Sequence, residues 1–280
     1  MDQLNGAAVF PDPDQAPSKE LMGTFRRLAR SSPWLWDTIE LKISEHSLTK
    51  NAAGVKAVET SAPLSVLIRR PNAVRVEDQH GNVVFRTDSI NDSKSASFLM
   101  SNRKSWLLPP KLLAPVYGED GFVSRRPEAA YVNELMPVSK WNAFLDPVEI
   151  AGFTPGPADL AFPHPSIIHT LNQMTDEAGR PCLEADLSRG HSYAPVFTHS
   201  PLLAEGTTRL RIDLATGICV QRTVLTGAGA GSVQKVKIIA VDRYMIDGLF
   251  TQPTAQLSDV RQAPVWPVSE EKHPPGRHQS

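Results

Sequence analysis

Cysteine is scarce in this chain: Cys182 and Cys219 are its two thiols. They lie too far apart in sequence for a CxxC zinc or redox motif. They are expected to be reduced and partly buried, because a disulfide needs the two strands that carry them to be neighbours in an oxidising compartment. Long apolar runs are missing too: none approaches the ~20 residues of a membrane-spanning helix, so no transmembrane segment is expected. Excess charge of one sign is also missing. Lys plus Arg number 29 and Asp plus Glu 30, for a net charge of −1. That balance removes the basic surface a general nucleic-acid binder requires, and no nucleic-acid partner is expected. The first twenty residues carry neither a basic start followed by an apolar stretch nor a lipidation cysteine, and on that ground the protein is expected to be cytoplasmic.

What the chain does have is core material. Hydrophobic residues make up 41% of its 280 residues, which excludes wholesale disorder and allows one large domain or two small ones. Its 24 prolines interrupt long helices and exclude coiled coils and large helical bundles.

Residues 1–17, with Pro11, Pro13 and Pro17, read as a disordered arm, and 267–280 as a disordered tail. The folded part is expected over 18–266 as a single domain. A helix is predicted from the cap residue Ser18, with Leu21, Phe25, Leu28 and Ala29 at helical spacing and Pro33 ending it. Strands follow. Trp34, Trp36 and Thr38 share one parity and Ile39, Leu41 and Ile43 the other, so the apolar set changes face near Thr38, at a bulge or at the true strand start. Leu64, Val66 and Ile68 alternate, then Val74 and Val76 after Pro71, and NVVFRTDSI follows a turn at 79–82. Connections this short predict an antiparallel meander. Residues 95–165 are Pro-rich and read as a helical or irregular insert whose apolar side chains must pack on something. Strands return over 180–250: Leu210 and Ile212 alternate with Arg209 and Arg211, Ala215-Thr216-Gly217 is a tight turn, and Val236 and Ile238 share a face.

Three stretches in this order, VLIRRPNAVRVEDQHGNVVFRTD, AGRPCLEADL, and LRIDLATGICVQRTVL followed by VKIIAVDRYMIDGLF, resemble the hairpin signatures of the LolA/RseB/LppX-like lipoprotein-carrier superfamily. The likeness covers roughly residues 20–250. It implies a mainly β (α+β) fold, a curved antiparallel unclosed half-barrel covered by an N-terminal helix and the Pro-rich insert. Its concave side would hold an acyl chain or stay plugged. Carriers of this superfamily are exported, whereas this chain shows no export signal. Elementary packing leads to the same architecture, since a sheet with one apolar face needs a cover.

Candidate chemistry is sparse. His164, His169, His191 and His199 lie near Asp159, Asp176 and Glu184, without the fixed spacing of a metal motif. GAGAGS at 227–232 lies between strand-like stretches and reads as a hairpin connection, not a phosphate loop. There is no nucleophile elbow. Neither a metal nor a cofactor is expected, and no catalytic residue is assigned. Arg69, Arg70, Arg75 and Arg86 form either a solvated outer face or a basic rim that meets anionic head groups or an acidic partner.

The first functional expectation is a non-enzymatic protein holding an apolar or acyl ligand in the concave face. Leu64, Val66, Ile68, Val74, Val76, Leu210, Ile212, Val236 and Ile238 would line the sheet, with Trp106, Leu108, Leu112, Phe144 and Leu145 in the cover. The second is a regulatory module with a self-filled half-barrel and a protein partner on an edge strand or on the exposed insert. A sealed concave face favours this one. An unrecognised hydrolase is the third.

Overall fold

The computed structural model describes residues 17–51, 54–71, 73–87, 108, 110–130, 132, 135–136, 139–156, 163–197 and 200–251. The arm expected over 1–17, save its last residue, and the tail at 267–280 lie outside the described residues, as does Trp106.

Helix α1 spans Lys19–Leu35, and the Ser18 side chain accepts from the Leu21 N–H at its start. The expected stop at Pro33 is corrected, because that residue sits within the helix. It falls in the last turn, where a missing N–H removes one rung of the ladder and the chain leaves helical geometry at Trp36.

Strand β1 (Thr38–Asn51) begins where the apolar parity changes, and a bulge between Glu40 and Leu41 interrupts its register with the last strand. It pairs along its length with β2 (Gly54–Arg69). Then come β3 (Ala73–Glu77) and β4 (Val83–Arg86). The insert holds a small hairpin, β5 (Val116–Tyr117) and β6 (Val123–Arg125), one turn of helix α2 (Asn142–Leu145) and short 3-10 turns at Pro110–Leu112, Ser139–Trp141 and Pro147–Ile150. Strands β7 (Ser166–Thr175), β8 (Pro181–Arg189), β9 (Thr208–Asp213), β10 (Cys219–Val224) and β11 (Ser232–Val241) complete the fold.

Nine of these strands form one antiparallel sheet in the order β4-β3-β2-β1-β11-β10-β9-β8-β7. The two meanders meet where β1 pairs with β11, Leu41 opposite Ile238 and Ile43 opposite Val236. The sheet is unclosed, with β4 and β7 at its ends. The fold is thus mainly β, with an N-terminal helix and a Pro-rich insert of short helical turns.

The pleat sorts the side chains. Val66, Ile68, Val74, Val76, Leu41 and Ile43 from one meander join Leu183, Ala185, Leu187, Leu210, Ile212, Val236 and Ile238 from the other in one apolar core. Phe25, Leu28 and Ala29 of α1 and Phe144, Leu145 and Ile150 of the insert belong to the same core. Gly217 adopts φ +67°, and a Cβ there would stand 3.0 Å from the Leu28 carbonyl oxygen, so the β9–β10 turn needs glycine to sit under the helix. On the other face, Met245 and Phe250 pack with Ala73 in a second small core beside β2 and β3.

Candidate binding surface

The expected lining residues gather on one wall. Val66, Ile68, Val74, Val76, Leu210, Ile212, Val236 and Ile238 are 0–6% exposed, and Leu64 is partly buried against the same core. Cross-strand pairs tie them together: Val66 faces Val76 and Ile68 faces Val74. The wall is covered by the chain's own residues, from α1 and from Phe144 and Leu145.

The insert divides. Phe144 and Leu145 are 2% and 3% exposed, whereas Leu108 is 41% and Leu112 71% exposed, outside the core. The expected place of Leu108 and Leu112 in the cover is corrected accordingly. The reason is local. Trp34 Nε1 donates to the Leu113 carbonyl at 3.0 Å, and Lys111 Nζ lies 2.9 Å from Asp37 Oδ1. These contacts hold the 3-10 turn at 110–112 beside the C-terminal end of α1, on the rim and not over the wall.

The cover is bonded mainly to itself. Ser32 Oγ donates to the Leu145 carbonyl at 2.5 Å, and Arg30 donates to the carbonyls of Ala151 and Gly152, both at 2.7 Å. Arg126 donates from Nε to the Arg30 carbonyl and from Nη1 and Nη2 to Asp146. Glu149, buried under the 193–202 loop, accepts from Tyr193 Oη at 2.6 Å and from the Val196 and Leu202 N–H groups. Burial raises the carboxyl of Glu149 above its ordinary range despite those three donors. Asp146 and Glu149 were not singled out in the sequence, where a buried carboxylate looks like any other acid.

The arginines of the hairpin also part company. Arg69 pairs with Asp247 and donates to the Met245 carbonyl, and Arg75 pairs with Glu77, so both serve the outer small core. Arg70 instead lies with its guanidinium carbon 3.8 Å from the centroid of the Trp36 ring. The single outer face or rim expected for these residues is corrected.

On the outer face a groove of about 350 Å³ is lined by His46, Arg209, Arg211, Gln221, Thr223 and Lys235, among others. Its cations are paired: Arg209 with Asp186 and Arg211 with Glu184 across β8 and β9, and Lys235 with Glu177 in the turn between β7 and β8. Among the described residues no group of three His, Cys, Asp or Glu side chains is placed to hold a metal ion. Nor is any described helix long and apolar enough to cross a membrane. GAGAGS joins β10 to β11, with positive φ at Gly227, Gly229 and Gly231.

No family model and no curated protein matches this chain. A solved structure does: a LolA superfamily protein from Nitrosomonas europaea, with 8% sequence identity and a TM-score of 0.24, over 83% of this chain and 97% of that one. The chain is similar to a LolA superfamily protein. The sheet presents an apolar wall packed against its own cover. The cytoplasmic expectation is corrected: the structure found similar is that of a LolA superfamily protein, and the cytoplasmic reading is not carried further.

Proposed function

We propose that this chain is a non-enzymatic binding protein, one domain over 18–266, whose half-barrel is filled by its own side chains and which engages a protein partner through the exposed part of its insert. The observation that carries this reading is the division of the insert. Phe144 and Leu145 seal the wall, while Leu108, Leu112, Val116 and Tyr117, within ten residues of chain, are 41%, 71%, 48% and 53% exposed. Apolar side chains gathered outside a filled core support a docking role. Their tethers to Trp34 and Asp37 keep the segment ordered before it meets a partner, which lowers the entropic cost of docking. Photo-crosslinking residues placed at 112 and 117 test this in the organism's own extract. Discrete adducts at those positions, competed by wild-type protein and not obtained from position 58 on the β1–β2 arm, are expected. Adducts of equal yield from all three positions refute it.

A second reading is the apolar or acyl ligand expected between wall and cover. It is supported by the way Arg30, Ser32 and Arg126 bind the cover to itself, so that lifting it as a unit uncovers an apolar wall without breaking those bonds. Native mass spectrometry and uptake of a fluorescent fatty acid decide it. A co-purifying acyl species favours the second reading, and a ligand-free protein that takes up nothing removes it.

A further inference from the structure

Arg70 follows β2 where the chain turns through Pro71 toward β3. Its guanidinium stacks on Trp36, a side chain 1% exposed. Its Nε and Nη2 are buried and, among the described residues, find no hydrogen-bond acceptor. In a planar guanidinium these two N–H groups point along one edge, spaced to meet the two oxygens of a carboxylate.

The same edge is used that way elsewhere in the chain. Arg180 gives Nε and Nη2 to Asp213 at 2.7 and 3.0 Å, and Arg209 gives them to Asp186 at 2.6 and 2.8 Å. The acids near Arg70 are engaged otherwise. Asp146 has both oxygens on Arg126, and Asp37 is 70% exposed and bridges to Lys111. Burial lowers the Arg70 pKa to about 10, which leaves it cationic at neutral pH. A cation whose buried donors lack acceptors is strongly destabilising until an anion meets it, and low local polarity strengthens that pairing once formed.

We propose that Arg70, backed by the Trp36 ring, binds the carboxylate of a small ligand, whose two oxygens accept from Nε and Nη2. The carboxylate belongs either to a small acid or to the head of a fatty acid. The site goes beyond the docking role of the insert and stands or falls separately from it.

The test is a ¹H–¹⁵N titration of the arginine Nε–H resonances of the full chain with hexanoate and with dodecanoate below its micelle concentration, hexanol and dodecanol serving as controls. The Arg70 signal is assigned by its loss in Arg70→Lys and, should that variant not fold, by the ring-current shift that Trp36 imposes. Saturable movement with the acids and none with the alcohols is expected, with affinity at least tenfold weaker in Arg70→Lys. Dodecanoate binding well above hexanoate identifies the fatty-acid head, and equal affinities identify a small acid. Equal response to acids and alcohols, no response to either acid, or unchanged affinity in Arg70→Lys overturns the proposal. Each of those results leaves the crosslinking test of the insert unaffected.

Discussion

Arg126 holds both oxygens of Asp146, at 2.9 and 2.5 Å, with 2% and 8% of the two side chains exposed. Arg126 also donates to the Arg30 carbonyl, so one guanidinium joins α1, the strand end after β6 and the turn after α2. Removing one partner of such a pair leaves a buried charge uncompensated. Asp146→Asn is expected to lower stability by about 3–5 kcal/mol, while replacing both residues by apolar ones of similar volume is expected to be near neutral. Urea unfolding of both variants measures this, and a loss under about 1 kcal/mol in Asp146→Asn shows that the pair does not hold the cover.

Glu149 gives the fold a pH dependence of definite sign. Burial holds its carboxyl above the ordinary 4.5, against the pull of Tyr193, Leu202 and Val196. The folded chain therefore binds this proton more tightly than the unfolded chain does. The stabilisation from that binding is complete below 4.5 and is lost as pH rises through the folded value. Glu149→Gln is expected to flatten this part of the stability profile. Unfolding midpoints between pH 4 and 8 for the two proteins provide the comparison, and parallel profiles contradict the assignment.

The two halves of the insert should respond oppositely to truncation. Phe144→Ala removes a ring 2% exposed and is expected to cost about 3–5 kcal/mol. Leu112→Ala, at a side chain 71% exposed, is expected to stay within about 0.5 kcal/mol. Thermal and urea unfolding read both; comparable losses place Leu112 in the cover after all.

Cys182 and Cys219 are free and fully buried. Burial pushes each thiol up to about 12. At pH 8 the thiolate fraction is then roughly one in ten thousand. Neither is expected to react with a disulfide reagent in the native state within the time taken by the urea-unfolded chain, and stoichiometric native labelling within minutes contradicts this.

Much of the sheet was legible from local pattern. The parity change at Thr38 marks where β1 begins, and alternation at 64–68, 74–76 and 210–212 places the wall residues on one face, because the pleat has a period of two. Arg69, Arg70 and Arg75 illustrate the limit. Sequence treats them as one basic group, yet Arg69 and Arg75 meet the carbonyls of Met245 and Leu249, while Arg70 meets Trp36. Those partners lie 34 to 176 residues away, and no local signal encodes them. The stretch 47–61, polar and without alternation, likewise gave no strand signal, although most of it belongs to the β1–β2 hairpin, where pairing with a neighbour supplies the order.

By itself the sequence determined the α1 cap at Ser18, the turn at Gly217 and the alternation of both meanders, all set by interactions spanning a few residues. The tertiary structure alone decided that β1 pairs with β11 to make one sheet of two meanders, that Phe144 seals the wall while Leu112 faces solvent, and that Asp146 belongs to Arg126. Each depends on which distant surfaces lose water together, and the free energy of that burial belongs to the assembled core rather than to any segment of it.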